Sequence, residues 1–127
     1  REPHYLDDAR VAAGFALYAR EVARHGRGRV LRDLRARGVA AAVAEAAVAQ
    51  GFAGSQEDTL LRAHLRAKRV RRPEDARQAA ALYRRLLRAG FTPAACLRAL
   101  RAWKLDAEWL EMLEAIEEEP ESAGGME

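Results

Sequence analysis

The sequence predicts an all-α fold, built as two tandem three-helix repeats plus a C-terminal helix in an elongated arrangement. Three observations carry that prediction. Hydrophobic residues make up 50% of the 127 positions, with alanine the commonest of them and aromatics only 6%; alanine is the best helix former, and β-branched residues are few. Apolar residues recur at spacings of three and four between short Gly, Pro and Asp/Thr boundaries, the period of a helix face. Finally, the stretch GRGRVLRDLRARGV (26–39) has a grammar that returns later as LYRRLLRAGF (82–91). A glycine-bracketed turn leads into a short basic helix with Leu31 and Leu34 on one face. Gly38 then stands where a left-handed C-cap is wanted, and Val39 follows as the apolar residue that packs back on the last turn.

The echo can be written without gaps. Leu31 to Val48, shifted by 52 residues, lands on Tyr83 to Leu100, pairing Leu34 with Leu86, Gly38 with Gly90, Val39 with Phe91, and Val48 with Leu100. Two units of this length make a short helical array, and such arrays commonly need three. That predicts a further unit upstream of Arg1, and a chain starting without Met reads as a fragment or a processed product.

Taken in order, residues 1–54 form the first repeat. Asp7 and Asp8 are placed to cap its first helix. Val11, Phe15, Tyr18 and Val22 follow at spacings of four, three and four, an inward face running to about Arg24. The turn HGRG (25–28) breaks that helix. A short helix over 29–37 and a third over 40–50 follow, the latter with Val39, Val43, Ala47 and Val48 inward. Residues 55–104 form the second repeat. Ser55 is the expected N-cap of a helix over 56–70 with Leu60, Leu61, Leu65 and Ala67 inward. Pro73 is expected to open the next helix, whose apolar face is Ala79, Leu82, Tyr83, Leu86 and Leu87, with Gly90 as its stop. Thr92-Pro93 marks N-cap and N1 of a sixth helix reaching about Trp103. Residues 105–118 form the C-terminal helix, started by Asp106 with Trp109, Met112, Leu113 and Ile116 inward. Residues 119–127 have no apolar period and read as an acidic disordered tail.

Composition narrows the function classes. No run approaches the roughly 20 apolar residues of a membrane span, and the N-terminus is polar rather than signal-like, so the expected address is cytoplasmic. Cys96 is the single cysteine, which excludes an internal disulfide and a cysteine zinc site; beside Leu97 and Leu100 it reads as a small core residue. His4, His25 and His64 have no metal-ligand spacing and read as solvated or capping residues. Asp7 and Asp8 are adjacent and share no helix face. Ser55 and Ser122 lack a histidine partner in sequence context, and the HGRG turn lacks the strand-to-helix setting of a phosphate loop. No catalytic residues, metal or cofactor are expected; the chain does not read as an enzyme.

Basic surface remains. The net charge of +3 conceals an asymmetry: all 22 Lys and Arg lie before Leu105 against 10 acidic residues, while nine acidic residues and no basic ones follow. A basic body with an acidic end suits an anionic partner. Arg27, Arg29, Arg32 and Arg35, with Arg24, form one cluster. Lys68, Arg69 and Arg72, with Arg71, form a second, and Arg84, Arg85 and Arg88 a third. On a helical array corresponding faces line one surface, so the clusters suit a stripe that tracks a phosphate backbone or an acidic protein groove. The plain alternative is solvation, since helix surfaces must carry charge somewhere. Trp103 and Trp109 fit the core better than base stacking.

A family resemblance adds to this. The residues Tyr5-Leu6-Asp7-Asp8, Phe15 and Tyr18, Gly26-Arg27-Gly28, Leu34 to Val39 and Leu86 to Thr92, in that order and spacing, resemble RecX, the bacterial regulator of the RecA recombinase. The likeness spans about Tyr5 to Leu113 and is similar to the second and third of that family's three-helix repeats. It implies a monomeric binding protein that lies along the RecA–single-stranded-DNA filament and inhibits recombinase, ATPase and co-protease activity. The ten basic residues from Arg27 to Arg88 named above are the expected contacts to RecA and, weakly or indirectly, to single-stranded DNA. A second reading is a direct DNA-binding module, helix-turn-helix-like, acting without RecA. A third is a helical adaptor whose charge serves solubility only.

Overall fold

A computed structural model describes residues 2–118; the tail expected at 119–127 lies outside the described residues. Seven α-helices are described, with no strand among these residues: α1 (Glu2–Tyr18), α2 (Arg27–Ala36), α3 (Ala41–Gly51), α4 (Glu57–Ala67), α5 (Ala76–Arg88), α6 (Pro93–Ala102) and α7 (Ala107–Glu118). α1 continues into a π-helical turn, Ala19–Ala23, that ends on Arg24 in the left-handed region at φ 64°. The chain is all-α.

Two buried clusters organise the helices. The first joins α1, α2 and α3 around Ala12, Ala16, Val30, Leu34, Val43, Ala47 and Phe52. The second joins α4 to α7 around Leu61, Leu82, Tyr83, Leu86, Phe91, Cys96, Leu100 and Leu113. α1 and α2 both pack on α3, α4 on α6, and α7 on α5 and α6. Cys96 is fully buried; burial, aided by Glu57, pushes its thiol up to about 12, so it is a core residue. Trp103 and Trp109 pack half-buried against the second cluster.

Positions 52 apart share backbone geometry. Gly38 and Gly90 have φ 92° and 105°. Val39 N–H donates to the Leu34 carbonyl at 3.1 Å, and Phe91 N–H to the Leu86 carbonyl at 3.3 Å, the six-to-one bond that ties a left-handed glycine cap to its helix. α4 ends the same way without a glycine: Arg69 takes φ 54° and Val70 N–H reaches the Leu65 carbonyl at 3.0 Å.

Several expectations change. α1 begins at Glu2, so Asp7 and Asp8 lie inside the helix and do not cap it; Pro3 fits the first turn, where no intrahelical N–H is needed. The predicted inward face of α1 is also wrong. Val11, Tyr18 and Val22 are 66%, 58% and 60% exposed, while Ala12, Ala16 and Ala19 are buried. The reason is a close approach to α3, where a Cβ added at Gly51 would stand 3.0 Å from the Ala16 Cβ. Only a small-residue stripe fits there, and Phe15 is left half-buried beneath the Arg37 guanidinium at 4.5 Å. Gln56, not Ser55, occupies the N-cap of α4; the Ser55 hydroxyl accepts from Arg20 at 3.3 Å. Ala67 is exposed, since α4 ends there. α5 starts at Ala76 rather than Pro73, because Asp75 Oδ1 accepts from Gln78 N–H at 2.7 Å while Gln78 Oε1 accepts from Glu74 N–H at 2.9 Å. That reciprocal pair outcompetes the proline as helix start. Thr92 and Pro93 open α6 as expected.

The packing of α1 gives a direct check. Ala16→Leu is expected to cost about 2–3 kcal/mol by overpacking against α3, whereas Val22→Ser at an exposed position should stay within about 0.5 kcal/mol. Urea unfolding of both variants orders the two faces; the reverse order would restore the bulky face to the core.

Candidate functional site

Two glycine turns lock the halves of the molecule together. Gly26 N–H donates to the Ala89 carbonyl at 2.7 Å and Gly28 N–H to the Gly90 carbonyl at 3.1 Å. Backbone meets backbone here: a Cβ at Gly26 would lie 2.6 Å from the Gly90 carbonyl carbon and oxygen. Such an approach needs glycine on both sides. Beside the clasp, Arg32 Nη2 donates to the Arg88 carbonyl at 3.0 Å. α2 and α5 are thereby held side by side.

His64 closes the same junction from α4. It is the buried polar residue of the described core, 3% exposed. Nδ1 lies 2.8 Å from the Arg24 carbonyl, which ends the π-helical turn. A carbonyl only accepts, so the Nδ1–H tautomer is required. The ring stands edge-on to Phe91, centroids 5.4 Å apart. Burial holds its pKa below the ordinary histidine value; the bond to Arg24 opposes that shift, and Lys68 and Arg85 add to it. His25, half-buried, is also lowered by burial first and then by Arg29, with Asp33 opposing and Lys68 and His64 contributing.

The predicted basic residues divide into two groups around this junction. Arg29, Arg32 and Arg88 line an open cleft between α2 and α5, with Asp33 and Leu87. Arg69, Arg71, Arg72 and Arg85 line a second cleft between the α4–α5 connection and α5, with Gln78. Lys68 is exposed and acts electrostatically on both His25 and His64, so it stands at the junction too. Arg85 and Arg88 are three residues apart, neighbours on one face of α5. Seven of the ten predicted contacts therefore border the junction.

The other three do not gather there on these observations. Arg27 Nη2 donates to the Phe52 carbonyl at 3.2 Å and its guanidinium lies 5.5 Å from the Phe52 ring centroid, pinning the turn to the end of α3. Arg35 Nη1 donates to the Val39 carbonyl at 2.8 Å. Arg84 is exposed and borders neither cleft. Even at the junction some cations have internal partners: Arg72 donates to the Trp103 and Lys104 carbonyls at 3.1 and 3.2 Å, capping α6, and Arg29 lies 3.4 Å from Asp33. Beyond the junction, Arg98 makes a two-armed contact to Asp58 at 3.0 and 2.9 Å, and that hydrogen bonding holds the Asp58 carboxyl below the usual range. His64 was missed as a junction residue by sequence reasoning, because its partner lies forty residues earlier.

Among the described residues there is no group of three His, Cys, Asp or Glu side chains placed to hold a metal ion, and no helix is long and apolar enough to cross a membrane. No protein-family model matches the chain, and no curated protein or solved structure matches it.

Proposed function

We propose that this chain is a RecX-like modulator, two three-helix repeats that act as a monomer in the cytoplasm. It docks in the RecA–single-stranded-DNA filament and inhibits recombinase, ATPase and co-protease activity by occupancy and electrostatic contact. The observation that carries the reading is the junction. Cations from α2, the α4–α5 connection and α5, distant in sequence, border two clefts with Asp33 as the carboxylate among their lining residues. A surface charged only for solubility has no reason to concentrate one sign in this way, because like charges repel when brought together. The motif resemblance supplies the partner.

The direct DNA-binding reading fits less well. The clustered cations are spread over α2, the α4–α5 connection and α5, rather than focused on the one recognition helix of a helix-turn-helix. The deciding experiment is RecA-catalysed, single-stranded-DNA-dependent ATP hydrolysis with and without the protein at low and moderate salt. Inhibition at or below one protein per RecA, weakened by salt and by the double variant Arg85→Glu/Arg88→Glu, is the expected result. For every phosphate that the variant no longer neutralises, the salt slope should fall by about one. No effect on RecA, with tight salt-dependent binding to duplex DNA, would replace this reading with the second.

A further inference from the structure

α4 packs against α6, but the two helices leave a gap between them. Along α6, Ala95, Ala99 and Ala102 recur at spacings of four and three, a row of small residues on one helix face. That row looks across at Leu61 and Leu65 of α4, with Trp103 as a wall just past the end of α6, around a cavity of about 140 Å³. Leu61 and Ala95 form its buried floor, at 0% and 1% exposure. Leu65, Ala99 and Trp103 are half-buried towards its mouth. The charged residues that line it are Asp58, Arg62 and Arg98, and none of its lining residues borders either basic cleft.

Two of the three rim charges cancel, because Arg98 holds Asp58 with both arms at 3.0 and 2.9 Å. Arg62 makes no ion pair among the described residues. Its bond to the Thr59 hydroxyl is 3.4 Å long, beyond the usual N–H···O range. Arg66 is exposed one turn further along α4. The cavity is therefore apolar inside and positive at its edge, and its size limits what enters. Pockets for whole small molecules run to roughly 300–1,000 Å³, whereas a dry cavity of about 150 Å³ takes one benzene ring. Single side chains of that size, seated in a pocket, are the anchors of protein–protein contacts. We propose that the α4–α6 cavity is an anchor pocket: it takes one aromatic or leucine-sized side chain from a partner protein's acidic segment, whose flanking carboxylates meet Arg62. Because Arg98 neutralises Asp58, no uncompensated carboxylate at the rim repels such a segment. The inference does not rest on the RecX-like reading; it gives the molecule a protein-binding surface apart from its two basic clefts.

The test is isothermal titration of the protein with an acetylated, amidated pentapeptide in which one phenylalanine is flanked by two aspartates on each side. Replacing the peptide's phenylalanine by alanine is expected to weaken binding about ten- to a hundredfold, the worth of one buried aromatic side chain. Arg62→Gln, a change at an exposed position, should weaken it about two- to fivefold and remove most of its salt dependence. Ala99→Leu fills the cavity and should abolish binding while thermal unfolding shows the fold retained. Should that variant unfold, the peptide replacement and Arg62→Gln still decide the matter. Two further probes distinguish other occupants: the same peptide with serines in place of the aspartates, and benzyl alcohol. If either binds as tightly as the acidic peptide, the cavity is a site for small apolar groups in general and the proposal fails. It fails equally if the unaltered protein does not bind the acidic peptide, or if Arg62→Gln binds it with unchanged affinity and salt dependence.

Discussion

Gly90→Ala is expected to destabilise the protein by about 3–5 kcal/mol, while Gly38→Ala, the same change 52 residues earlier, should cost only about 1–2 kcal/mol. Both glycines have positive φ, 105° and 92°, so both variants carry the strain of an L-residue in the left-handed region. The difference lies in what surrounds them. A Cβ at Gly38 meets nothing within 4 Å, but one at Gly90 would stand 2.4 Å from Arg29 N, 2.6 Å from Arg29 Cβ and 2.7 Å from the Gly26 carbonyl oxygen. None of those atoms can swing aside like the end of a long side chain. The turns would have to separate, breaking the Gly26–Ala89 and Gly28–Gly90 hydrogen bonds. Against a typical total of about 5–15 kcal/mol, that loss is large. Denaturant unfolding of the two variants side by side decides it; equal midpoints would mean that the halves are not clasped as described. Gly90→Ala should also abolish the α2–α5 cleft, since the clasp is what brings Arg29 and Arg32 to Arg88.

That pair of glycines also shows where sequence reasoning reaches and where it stops. Both were legible as helix stops, because a glycine followed by an apolar residue after a basic helical turn has one common use. Their local geometry is the same, as the shared left-handed caps show. Their surroundings were not legible, because a neighbour sixty residues away leaves no mark on local spacing. The same limit explains α1. Its bulky residues at 11, 15, 18 and 22 and its alanines at 9, 12, 16, 19 and 23 both recur at helical spacing. Local pattern favours the larger side chains as core, yet the close approach of Gly51 on α3 to Ala16 admits only the smaller. The basic clusters divide for a related reason. Arg27, Arg35 and Arg72 look like their neighbours in sequence, but each meets a backbone carbonyl that folding brings within reach.

His64→Ala is expected to cost about 3–4 kcal/mol, part from the cavity left by a fully packed ring and part from stranding the Arg24 carbonyl. His64→Asn separates those parts, because the amide nitrogen of asparagine can stand near the position of Nδ1 and donate to the same carbonyl. It should recover about half of the loss. The unaltered ring also makes the junction sensitive to acid. With Nδ1–H committed to Arg24 at 2.8 Å, a second proton must go on Nε2, which is buried with no hydrogen-bond partner. The added charge would face Lys68 and Arg85. Burial therefore keeps the folded-state pKa below 6.5, and the unfolded chain takes up the proton first. The stability contributed by neutral His64 is fully present above the unfolded value and is lost as pH falls from there through the folded one; His25 acts in the same direction. Thermal unfolding between pH 7.5 and pH 5 should show a shallower decline for His64→Asn than for the unaltered protein. Parallel curves would mean that His64 takes up its proton as readily in the folded protein as in the unfolded chain, and the junction would then owe nothing to its protonation state. A shallower curve would instead place the acid sensitivity where α4 meets the end of α1, next to the cations that line the cleft.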